Sequence, residues 1–187
     1  MSSLAGYRYL LVPVALGLLV PTLAVPWVSI NLLGSRSYTP PEIMAALVQP
    51  AAAKEEGRAG IDLSMLHERG TVLSASVASM ALYSAAIAAM MAAIPYRARR
   101  QQLALAAGIL AIAAGSLWMY AIEALKSGFA AAAQMTGGII GEEFRGREGE
   151  LASLFIVTGA GPYFALGAGA VAVAAGGCHY YFAGEKK

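Results

Sequence analysis

The sequence predicts an all-α polytopic membrane protein, with four transmembrane helices in an up-down bundle and a long first outer loop containing a short helix. Three observations lead there. Four apolar stretches, at about 9–30, 71–94, 103–125 and 151–182, make up most of the 187 residues, and a membrane-crossing helix needs roughly 20 apolar residues. The turn between the second and third holds Arg97, Arg99 and Arg100 and no acid, as cytoplasmic connections do. The composition is 58% hydrophobic and 13% charged with a mean hydropathy of +0.62, well outside soluble usage. No linker or composition break marks a second domain, so a single domain over residues 1–187 is expected.

The first stretch, about Tyr9 to Ile30, holds Pro13, Pro21 and Pro26. Each proline removes a backbone donor, so a kinked or locally opened helix is expected there, with neighbouring helices or water supplying the missing partners. Pro21 is the candidate hinge. The short apolar run ending in Thr22-Leu23-Ala24 also has the form of a signal-peptide cleavage region, and we read it as an uncleaved span. Trp27 falls where the helix leaves the hydrocarbon.

Residues 31–70 form a polar connection. Within it Thr39-Pro40-Pro41-Glu42 is a capping box with proline at the first helical position, followed by Ile43, Met44, Leu47 and Val48 and stopped by Pro50. A second helical start near Asp62 could continue through Leu66 and His67 into the second span, with Gly70 weakening the join.

The second span is built from small residues, with Ala81, Ala85, Ala89 and Ala93 at every fourth position. The third repeats the device with Ala107, Ala111 and Gly115, beside Ala104, Gly108 and Ser116. Small residues let membrane helices approach closely, so the two spans are expected to pack as a tight antiparallel pair across the arginine turn. Trp118 and Tyr120 approach the outer interface. The last stretch is longer than a perpendicular span needs, and Gly161-Pro162 is its natural kink.

With both termini and the arginine turn inside, six bases face one acid there, while seven bases and ten acids lie outside. The raw base count does not orient the chain; the short acid-free turn does. The formal charge of +2 gives no reason to expect a nucleic-acid partner. The single cysteine, Cys178, can form no intramolecular disulfide.

Candidate chemistries are few. The two histidines, His67 and His179, are expected at opposite membrane faces and cannot share one metal or haem iron. Glu123 is the acid nearest the apolar part of a span and the one candidate for coupled transport; Lys126, three residues on, makes a local ion pair the simpler expectation. The segment Phe129 to Gly141 could be re-entrant, but its alanines more simply extend the third helix and its glycines end it. The run Glu142 to Glu150 alternates in sign and pairs no nucleophile with a base. Neither a phosphate-binding loop nor a zinc-protease motif is present.

A tryptophan just after the first span, a long first outer loop, a short basic inner turn and a shorter second outer loop together resemble the claudin and peripheral-myelin-protein tetraspans. The resemblance implies lateral adhesion or regulation of a partner. The paired cysteines and the Gly-Leu-Trp element of the claudin first loop are missing here. From the residues themselves we expect a non-enzymatic accessory or assembly subunit of a larger membrane complex, or a homo-oligomeric scaffold, in the cell membrane with both termini cytoplasmic. Its partners would be the lipid bilayer and other transmembrane subunits or copies of itself, with no cofactor or metal. A small channel or transporter moving at its first and fourth helices is the alternative.

Overall fold

The structure, a computed structural model, describes residues 4–31, 35–43, 69–135 and 146–184. The sequence readings on Met44 to Pro50, the helical start near Asp62, His67, residues 136–145, and Lys186 and Lys187 lie outside the described residues.

In chain order the elements are α1 (Leu4–Leu19), a 3₁₀ turn (Pro21–Ala24), β1 (Val28–Ile30), β2 (Arg36–Tyr38), α2 (Arg69–Ala92), a 3₁₀ turn (Arg97–Arg99), α3 (Arg100–Met135), α4 (Glu148–Phe155), β3 (Ile156–Thr158) and α5 (Gly161–Gly184). Helix dominates, and the stretches Gly70–Ala92 and Arg100–Ala131 are long and apolar enough to cross a membrane. The apolar helical segments Leu11–Ala24 and Gly161–Gly177 are shorter.

The first apolar stretch is not one helix through Ile30. Val20 N–H still bonds Leu16 at 3.0 Å, but Pro21 has no N–H to continue the ladder. The chain then tightens into the 3₁₀ turn and, past Pro26, extends into β1, where β-branched Val28 and Ile30 suit a strand. Pro13, by contrast, is accommodated inside α1. The fourth stretch is also divided. Its apolar start becomes α4 and β3, and Gly161-Pro162 opens α5 instead of kinking a longer helix. Proline in a first helical turn sacrifices no hydrogen bond, which is why the break falls there.

The described chain divides into two compact units. The first comprises Met1–Ala24, Ala78–Ser116 and Gly161–Lys187; the second comprises Val25–Val77 and Leu117–Ala160.

The core of the first unit is nearly all small side chains. Buried positions alternate in steps of three and four: Ser79, Tyr83, Ala86 and Met90 on α2 with Ala93 just past its end, Ala104, Ala107, Ala111 and Ala114 on α3, and Ala165, Ala168, Ala172 and Ala175 on α5. An average step of 3.5 keeps a seam facing one neighbour along helices that cross at a shallow angle. α1 lies along α5. Between α3 and α5 the backbones nearly touch, because a methyl built on Gly108 would sit 2.7 Å from the Gly169 oxygen, and one on Gly169 would sit 2.9 Å from the Gly108 oxygen. Gly115 against Pro162 and Leu166 continues this antiparallel register.

The second unit holds a three-stranded antiparallel sheet of order β2-β1-β3, an element the all-α expectation omits. Val28 pairs with Tyr38 on one side and Thr158 on the other, and Ile30 with Arg36 and Ile156. Val28, Ile30 and Ile156 are buried, whereas Ser37 and Val157 are exposed and Ser29 half-buried, the two-residue alternation of a one-sided sheet. The Ser29 and Ser37 hydroxyls bond across the strands at 2.9 Å. At the N-terminus of residues 40–43, which are helical, Thr39 N–H donates to Glu42 at 2.8 Å, half of the capping box read from the sequence.

The glycine contacts give a paired prediction. Gly108→Ala should destabilise the protein by about 1–3 kcal/mol, since the added methyl meets main chain that cannot step aside. Gly167→Ala, which faces open space on α5, should be neutral or slightly stabilising. Unfolding of the detergent-solubilised chain by heat or by SDS titration compares the two.

Candidate functional site

Inside the first unit the buried polar side chains are few, and Thr22, Ser79 and Tyr83 each bond to main chain. α1 ends at Leu19, so its last carbonyls lack helical donors. The Thr22 hydroxyl donates to Leu18 O at 2.7 Å, and the Tyr83 hydroxyl reaches from α2 to Leu19 O at 2.6 Å. Both side chains are buried. One helical turn before Tyr83, the Ser79 hydroxyl donates to Ala114 O on α3 at 2.8 Å. Tyr83 and Ser79 therefore tie α2 to α1 on one side and to α3 on the other.

At the other end of α2, Arg100 donates through Nε to Ala93 O and through Nη2 to Ile94 O, both at 2.9 Å. A guanidinium at a helix C-terminus satisfies orphan carbonyls and opposes the negative end of the dipole. The arginine turn thus also holds the α2–α3 hairpin together.

In the second unit Trp27 and Trp118 meet edge to face, with centroids 5.2 Å apart and planes at 85°, a favoured geometry for aromatic pairs. Trp27 is fully buried, so it serves as a packing residue of this unit where the sequence suggested an interfacial aromatic. Its main chain is clamped as well: Gly159 N–H donates to Trp27 O at 2.9 Å, and any Cβ on Gly159 would collide with the main chain of Pro26. Phe129 and Phe155 form a second ring pair at 5.8 Å. Trp118 Nε1 and Asn31 Oδ1 are buried with no hydrogen-bond partner among the described residues. Lys126 donates to Glu123 at 2.7 Å, with the Glu123 side chain 67% exposed.

The residues singled out in the sequence fall in different surroundings. Ala107, Ala111, Gly115 and Ala93 are buried, Ala89 is half-buried, and Ala81 and Ala85 are exposed. The reason is geometric: a row taken at every fourth residue drifts about 40° around the helix per step, so it cannot stay on one seam. Pro21 opens the 3₁₀ turn, and Gly161 and Pro162 form the first turn of α5. His179 lies on α5. Sequence reasoning missed Thr22, Ser79, Tyr83 and the capping role of Arg100. A signal for Tyr83 existed, since it is the one aromatic residue of α2 and a helix broken at Pro21 demands a donor nearby.

Nothing in this set pairs a nucleophile with a base, and among the described residues no three His, Cys, Asp or Glu gather as a metal site. No protein-family model, curated protein or solved structure matches the chain. The likeness to claudin and peripheral-myelin-protein tetraspans accordingly rests on layout alone.

Tyr83→Phe should cost about 1–3 kcal/mol, because it strands a buried carbonyl without refilling the hydrogen bond. Tyr120→Phe, on an exposed ring, should leave unfolding unchanged in the same assay.

Proposed function

We propose that this chain is a four-span integral protein of the cell membrane, a helix bundle with both termini and the arginine turn cytoplasmic. It acts without catalysis, by packing against other transmembrane subunits or copies of itself. The observation that carries the reading is the outer face of α2. Ala78, Ala81, Ala85 and Ala88 are all exposed, in steps of three and four, on the side of the helix turned away from its buried seam. α5 exposes a similar row, Gly167, Ala170, Ala174 and Gly177, whereas large apolar side chains are exposed at Val14 and Leu18 on α1, Ile109 on α3 and Tyr163 and Phe164 at the start of α5. Large apolar groups suit lipid, whereas a row of alanines gives a second helix room to approach.

The length of α3 supports the spanning arrangement. Its 36 residues extend about 54 Å, against a hydrocarbon core of about 30 Å. Glu123 lies roughly 35 Å along the helix from Arg100. With Arg100 at the inner face, the Glu123–Lys126 pair therefore sits beyond the core, in keeping with a solvent-exposed ion pair and not with a coupling site at mid-membrane.

Two tests address the two halves of the proposal. Ala85→Leu should weaken assembly, read as loss of the oligomer or complex in native mass spectrometry, while leaving monomer unfolding unchanged; Ala111→Leu should instead destabilise the fold by about 1–3 kcal/mol through overpacking. An Ala85→Leu protein that assembles like wild type removes the packing role. For orientation, after Cys178→Ser, a cysteine at Gly149 should react with impermeant thiol reagents on intact cells and one at Gln102 should not. The reverse pattern inverts the topology.

A further inference from the structure

We draw no further inference here: the strongest candidate, the exposed small-residue face of α5 at Gly167, Ala170, Ala174 and Gly177, carries none because nothing in the structure shows what covers it.

Discussion

A serine hydroxyl reaches the main-chain carbonyl of a neighbouring helix only when the two backbones lie nearly in contact, and that closeness governs the first unit. Ser79 bonds Ala114 O at 2.8 Å, where the facing seam of α3 is made of the buried alanines Ala107, Ala111 and Ala114. The same condition brings Gly108 and Gly169 together. In an apolar environment there is no hydrophobic drive between helices, so dispersion contacts between closely apposed backbones and a few hydrogen bonds must hold them. Bulk added at the seam would therefore separate the surfaces that do the holding.

Close approach also makes backbone breaks tolerable. Where α1 stops at Pro21, freed carbonyls would each be expensive away from water. Thr22 covers one locally, and Tyr83 covers the next from another helix. Arg100 does the same for the end of α2. The buried hydroxyls and the Arg100 guanidinium thus cap main-chain carbonyls that the helix ends would otherwise leave without donors.

Apolar length made α2 legible to within two residues, and the run of alanines after Phe129 correctly extended α3, to Met135. The capping box at Thr39 was readable because its chemistry is local: Glu42 has to reach only three residues back. The sheet was not readable. β1 and β3 are three residues each and pair across more than a hundred positions, and their Val and Ile are as apolar as any span, so hydropathy absorbed them into the first and fourth stretches. Step size hid the seam as well. Alanines are so frequent in α2 that both a four-residue row and the true alternation of three and four can be drawn through them, and only Ser79 and Tyr83, the polar members, distinguish the two. Of the candidate residues, composition pointed to the right kind, small side chains, without separating those that pack within the chain from those left on its outside.

Charge is partitioned along the same lines as packing. Every described carboxylate, Glu42, Glu123, Glu148 and Glu150, belongs to the second unit, where Glu123 and Glu150 pair with Lys126 and Arg147 three residues away. The first unit has arginines and no acid among its described residues. It bonds its buried hydroxyls to its own carbonyls and leaves an alanine face on α2 exposed. On the proposed reading, that face is where a neighbouring transmembrane helix would lie, since alanines allow the close backbone approach by which such helices hold together.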